Sequence, residues 1–234
     1  MPDGLAPLPE DWELGLAVVA HPDDLEYGAA AAIARWTARG KRFTYLLATH
    51  GEAGIDALEP SECARVREAE ERAGAAVVGV DAVEFLDHPD GLVEYGTPLR
   101  RDIARAIRRH RPHVVLTINH RDSWPGGSFN MADHRHVGLA VIDAVRDAGN
   151  CWVFADAGEA WSGVRMTLVN ASPFPTHFVD VTDTLERGIA SLECHRAYLA
   201  HVGQEARSWL TSSAGSAGRF VGVPYATTFE VLGL

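Results

Sequence analysis

One imidazole and two carboxylates crowd into four positions at His21-Pro22-Asp23-Asp24, directly after an apolar run. Imidazole nitrogen and carboxylate oxygen are ligands that a divalent ion such as Zn2+ accepts, and a carboxylate left beside the ion can take a proton from water. The segment thus offers a ligand pair together with a general base. Proline and aspartate also form turns for backbone reasons of their own, so the string alone fits a strand running into a polar turn equally well. A second polar set, Asp133, His134 and His136, lies far downstream.

Apolar runs of strand length (14–20, 43–48, 83–86 and 114–118) alternate with stretches of helical period (27–39, 61–79, 98–110 and 133–148). That alternation predicts an α/β fold in which βαβ units build a mostly parallel sheet flanked by helices. Ser61 is placed as the N-cap of its helix. In the second half, 164–170 and 177–181 read as strands and 183–201 as a last helix capped near Thr182 or Asp183. The small residues of 212–218 (SSAGSAG) predict a flexible loop within 203–220, and residues 1–12 a flexible leading segment. The length fits a single domain over 1–234.

Ligands of an open parallel sheet bind beyond the carboxyl ends of its strands. Four predicted strands deliver polar groups there: His21, Asp23 and Asp24; Thr49, His50 and Glu52; Asp87 and His88; Asn119, His120, Arg121 and Asp122. Catalytic zinc usually keeps three protein ligands, and His134, opening a helix after a long loop, is the third. His136, two residues on, points elsewhere on a helix. Without the first motif, His134 would read as an ordinary surface residue of a helix N-terminus.

Composition removes several classes of function. A net charge of -11 argues against a nucleic-acid partner, which would need a basic stripe. No apolar run reaches the roughly 20 residues of a membrane span, and the acidic, proline-broken start resembles no targeting segment, so a cytoplasmic protein is expected. Cys63, Cys151 and Cys194 form no C-x-x-C pair and read as buried or helix-face residues. No phosphate loop follows the first strand, which disfavours a nucleotide-binding domain. Trp124, beside Pro125-Gly126-Gly127, is the candidate for stacking on a sugar, whereas Trp36 and Trp152 read as packing residues. The arginine-rich face of 100–111 reads as solvated, and His195 and His201 as surface or interface residues.

AHPDD at 20–24, GEAG at 51–54, RPHVVLT at 111–117 and DHRHVG at 133–138 together resemble the PIG-L/LmbE-like zinc-dependent de-N-acetylases. The similarity in order and spacing runs from the first strand to the helix ending near His201. It implies a Rossmann-like layer without a dinucleotide and removal of acetyl from a small N-acylated amino sugar or conjugate. It also implies His21, Asp24 and His134 as ligands of Zn2+, or of Fe2+ or another divalent metal in its place, and Asp23 as the general base for the attacking water. Arg67, by its spacing from Gly79 and Val80, resembles a substrate-binding arginine of relatives; the alternative is an exposed arginine paired with Glu71.

One departure bears on mechanism. Where the family commonly has His-Pro-Asp-His, Met131 replaces the first histidine, and a thioether donates no proton. Asp133, which in relatives supports that histidine, is retained as a catalytic candidate, and Phe129 replaces a tyrosine of some relatives. His120, His136 or His177 could supply the acid, but Asp23 returning its proton needs no further group. His120 joins Arg67 and Trp124 as candidate substrate-binding residues. Two functions therefore stand: a zinc-dependent N-deacetylase, or a metal-retaining, catalytically impaired binding protein. A homo-oligomer is compatible with either.

Overall fold

The strands that were legible as unbroken apolar runs are those covered by helices on both faces. The computed structural model describes residues 4–233. In chain order the elements are β1 (Ala6–Pro7), β2 (Leu14–Val19), α1 (Ala30–Ala38), β3 (Arg42–Leu47), α2 (Pro60–Val77), β4 (Ala82–Phe85), α3 (Thr97–His110), β5 (Val114–Ile118), α4 (Ala132–Ala148), β6 (Met166–Asn170), β7 (His177–Asp180), α5 (Leu185–Leu192), α6 (Arg196–Val202), α7 (Ala206–Val221) and β8 (Ala226–Leu232). They form one sheet in the order β1-β7-β8-β6-β5-β2-β3-β4. Only β8 runs antiparallel to its neighbours, β6 and β7.

Side chains alternate across β2: Leu16 and Val18 enter one core with Ile103, Val115 and Val141, while Ala17 and Val19 enter the other with Ile33, Trp36 and Phe229. The chain leaves β2 toward β3 on one side and meets β5 on the other. The carboxyl ends of β2 and β5 thus flank a topological switch point, where a crevice opens in such sheets.

Several expected elements differ from those observed. Residues 206–221 are helical, because the small residues permit close packing: a Cβ on Gly218 would meet the Val223 carbonyl oxygen at 2.5 Å. The leading segment is ordered from residue 4, with Ala6–Pro7 paired to β7 and Leu8 and Trp12 buried; residues 1–3 lie outside the description. The expected helix over 183–201 is two helices, broken where His195 turns inward, so His195 is fully buried. Glu59 is the N-cap of α2, with Pro60 in its first turn where a missing N–H costs nothing, and Thr184 caps α5. Arg108 is buried and donates to the carbonyls of Asp147, Ala148, Asn150 and Val153, unlike the rest of its arginine-rich face. Trp152 is exposed, and Trp36 is buried as packing requires.

Gly138 fixes the distance between α4 and β5. An added Cβ would lie 2.5 Å from the Ile118 carbonyl oxygen, a backbone atom that cannot yield cheaply. Gly138→Ala is therefore expected to destabilise the protein by about 1–3 kcal/mol, the range of overpacking substitutions. Urea unfolding checks this, and an unchanged midpoint would show that α4 is free to shift.

Candidate metal centre

His21, Asp23 and Asp24 follow β2 directly, where the chain turns before α1. Asp24 is locked first: its Oδ2 accepts the backbone N–H groups of Ala20 and His21, both at 2.9 Å, which leaves Oδ1 facing His134 Nε2 at 3.0 Å. His134 sits in the first turn of α4. Its Nδ1 lies 3.0 Å from Asn130 Oδ1, and Asn130 spends its amide Nδ2 on the carbonyls of Asn119 and Arg121. The amide orientation is thereby set, so His134 Nδ1 carries the proton and Nε2 keeps a lone pair.

The opposite constraint acts on His21. Its Nε2 lies 3.0 Å from Asp90 Oδ1 and 3.2 Å from Asp133 Oδ2, both acceptors, so that nitrogen carries the proton. His21 Nδ1 then meets His134 Nε2 at 3.1 Å. Two neutral rings so oriented would point lone pair at lone pair, and the arrangement needs a positive centre between them or a proton on one. Burial works against a charged His21, yet Asp133, Asp24 and Asp90 hold its pKa well above the usual range. Burial raises the Asp24 carboxyl, but His134 and then His21 outweigh it and keep it far below the usual carboxylate range. One ligand atom each from His21, Asp24 and His134 lies within 4.8 Å of the others. Two imidazole nitrogens and a carboxylate oxygen, each oriented by an outer partner, fit a divalent transition ion such as zinc.

Asp23 stands beside this cluster without joining it. Its φ of +119° is in the region that disfavours side chains, and such strain persists only where neighbours enforce it. Glu71 Oε2 accepts the Asp23 N–H at 3.1 Å, and Arg67 Nη2 lies 3.2 Å from Asp23 Oδ1 while also donating to the Pro22 carbonyl. Arg67 itself is buried, its guanidinium 3.8 Å from the centre of the Tyr198 ring, so it is neither the exposed arginine nor the Glu71 partner of the bland alternative. Burial lifts the Asp23 carboxyl to about 6, even against the pull of Arg67. An acid poised near neutrality beside an ion site can accept and return a proton.

Asp133 is buried in the first turn of α4. Its oxygens accept the N–H groups of Gly91 (2.7 Å) and Val93 (3.2 Å) and face His21. Trp124 and His134 meet in a T-shaped arrangement, ring centres 5.3 Å apart. His120 is half-buried, and burial followed by Arg121 lowers its pKa. His136 is tied to the Val93 carbonyl at 2.6 Å. Met131 is the N-cap of α4 and exposed, as are Phe129, two residues before it, and Leu92.

Sequence reasoning missed Asp90 and Asn130 as members of this network and placed Glu52 on the rim without its partner. Glu52 Oε1 accepts the Asp90 N–H at 2.8 Å, which sets the loop that presents Asp90 to His21. The signal available was position, since Asp90 follows β4 on the same rim. It also missed a buried group under Asp23: Glu26, Glu71 and His195, with ligand-type atoms within 4.8 Å of one another. Burial pushes Glu26 up to about 8 and lowers His195 to about 3, with Arg67 adding to the latter.

The sequence model of the family described as GlcNAc-PI de-N-acetylase, PIG-L, matches residues 16–145. Diacetylchitobiose deacetylase of Thermococcus kodakarensis is 31% identical over 189 residues, covering 78% of this chain and 68% of that protein. Of the further deacetylases it matches, the chain spans about half the length of those from Kineococcus radiotolerans, Mycolicibacterium gilvum and Mycobacterium leprae, and 79% of the one from Acidothermus cellulolyticus. The solved N,N'-diacetylchitobiose deacetylase of Pyrococcus horikoshii superposes with a TM-score of 0.86 at 23% identity, over 95% of this chain and 85% of that one. GalB of Pseudomonas putida, a 4-carboxy-2-hydroxymuconate hydratase, superposes with a TM-score of 0.79 at 22% identity, over 94% and 96%. At these identities the two structures establish the fold, which carries more than one chemistry.

The elevated Glu26 carboxyl has a consequence for stability. A group whose pKa is raised on folding contributes stability below its unfolded value of 4.5 and loses it as pH rises through its folded value of about 8. His195 acts oppositely, but only below about 6.5. Metal-free protein is therefore expected to lose thermal stability between about pH 6.5 and pH 8, and Glu26→Gln to lose less. Melting curves in chelator test this; parallel pH slopes for the two proteins would contradict it.

Proposed function

We propose that this chain, which belongs to the PIG-L family, is a metal-dependent hydrolase that removes an acetyl group from the nitrogen of a small amino sugar or amino-sugar conjugate. The observation that carries the reading is the convergence of His21 Nδ1, His134 Nε2 and Asp24 Oδ1 beside a separately held carboxylate, Asp23. The T. kodakarensis relative, a deacetylase of diacetylchitobiose by name, supports the substrate class.

A divalent ion held by His21, Asp24 and His134, zinc or Fe2+ by the donor set, supplies Lewis-acid polarisation of the amide carbonyl and acidifies water. The remaining work falls to this chain's own groups. Asp23 takes a proton from water as the new O–C bond forms, and returns it to the amide nitrogen as the C–N bond breaks, releasing acetate and a free amine. Arg67 and Glu71 keep Asp23 in its strained conformation, so the carboxylate approaches the reacting water without becoming a further ligand. Asp133 and Asp90 orient His21, and Asn130 orients His134. Trp124 offers an edge and face to a sugar ring at the mouth, with His120 as a neutral polar partner.

Met131 favours one other reading, a member that keeps its ion and ligand but turns over poorly. No side chain at that position donates a proton, so the acid role rests on Asp23. Met131→His should raise acetate release from a simple N-acetyl amino sugar if proton donation limits the rate, and an unchanged rate assigns the acid role to Asp23.

Asp23→Asn should retain bound zinc and lose at least about 100-fold in kcat, the scale of general acid-base catalysis. Asp24→Ala and His134→Ala should lose the ion itself, and Asn130→Ala should weaken it by about 10–100-fold. Zinc content and acetate release, measured side by side, separate these. Stoichiometric tight zinc in His134→Ala would refute the ligand set.

A further inference from the structure

The geometry points to a second, structural divalent-cation site beneath the first, formed by Glu26, Glu71 and His195. His195 Nε2 lies 3.7 Å from Glu26 Oε2 and 3.8 Å from Glu71 Oε2. These separations exceed a direct hydrogen bond, which ends near about 3.2 Å. They are close to those of ligands sharing one ion: atoms about 2.1 Å from a common centre stand roughly 3.4 Å apart in a tetrahedral site and roughly 3.6 Å apart in a trigonal one.

Most polar atoms of these three side chains lack a partner: only Glu71 Oε2, which accepts the Asp23 N–H, and Glu26 Oε1, which accepts from Ser191, have one. All three side chains are completely buried, and Glu26 Oε2, Glu71 Oε1 and both ring nitrogens of His195 find no hydrogen-bond partner among the described residues. Buried polar atoms of that kind are rare, and four in one place mark something that binds there. No lysine or arginine forms an ion pair with either glutamate among the described residues; the nearby guanidinium, Arg67, is paired with Asp23. Two carboxyl groups buried with no base in ion-pair contact must hold either protons or a cation, and a neutral imidazole beside them completes a common donor set for the cation.

The position separates this site from catalysis. With no ligand exposed, there is no open face for substrate, which is the mark of a structural ion. Its ligands nevertheless reach the working groups: Glu71 Oε2 also accepts the Asp23 N–H, and Glu26 Oε1 accepts from Ser191, which ties α5 to α2 through the Gly74 carbonyl. The lack of a side chain at Gly74 makes the pocket, since a Cβ there would lie 3.3 Å from both Glu26 Oε1 and His195 Nε2. An ion here would clamp α2, α5 and the turn after β2 to one another. This goes beyond the proposed deacetylation, which needs only the upper site.

Zinc per chain, measured on protein loaded with zinc and freed of excess by gel filtration, decides it. Wild type is expected to hold two ions and His195→Gln one, with Glu26→Gln as the second variant should the first fold poorly, and Asp24→Asn also one. A single ion in wild type that disappears in Asp24→Asn and persists in His195→Gln overturns the lower site, leaves the upper one standing, and assigns water to the four orphan atoms. Two ions retained in both His195→Gln and Glu26→Gln overturn it as well. A single ion lost in His195→Gln but kept in Asp24→Asn upholds the lower site and sinks the ligand set of the upper one.

Discussion

Two histidine nitrogens facing each other across 3.1 Å set the terms for the rest of this structure. Each ring has its other nitrogen committed, His21 to Asp90 and Asp133, His134 to Asn130, so neither can turn away to relieve the encounter. Those commitments extend outward. Asp133 gathers the backbone of the loop at 91–93, Glu52 holds the loop bearing Asp90, and Asn130 closes the long connection after β5. The outer polar network thus aims two ring nitrogens and one carboxylate oxygen at a common point, an arrangement that a proton on one ring or a cation between them makes favourable.

The fold makes that convergence possible by bringing distant sequence to one crevice. β2 and β5 lie side by side although nearly a hundred residues separate them, and α4 descends onto the end of β5 at Gly138 with no side chain between. The first turn of α4 is therefore delivered to the end of β2. Strain is concentrated where chemistry is proposed: Asp23, at positive φ, is held from below by Glu71 and from the side by Arg67, both buried. A carboxylate restrained in this way stays beside His21, Asp24 and His134 without joining them.

Much of this was readable from the chain. The parallel strands are apolar because both faces are covered, and the helices between them carry plain 3.6-residue periodicity, so the α/β alternation and the polar rim emerge directly. The SSAGSAG stretch misled because small residues signal both flexibility and close packing, and only the partner surface, here the carbonyls of Val223 and Pro224, distinguishes the two. His195 misled for a related reason: a histidine near the end of a helical stretch looks solvent-facing until a break in the helix turns it inward. Asp90 and Asn130 carry no local motif at all. Their roles depend on the orientation of another ring, a property of tertiary structure that residue spacing does not encode.

The central physical claim is that His21, Asp24 and His134 surround a divalent ion with Asp23 beside it and unbound. Anomalous diffraction at the metal edge from crystals of the zinc-loaded protein tests it most directly. The expected result is a peak about 2.0–2.2 Å from His21 Nδ1, Asp24 Oδ1 and His134 Nε2, with both Asp23 oxygens outside that distance. Zinc-loaded crystals with no peak between the two imidazoles, or with Asp23 as a ligand in place of Asp24, would contradict it.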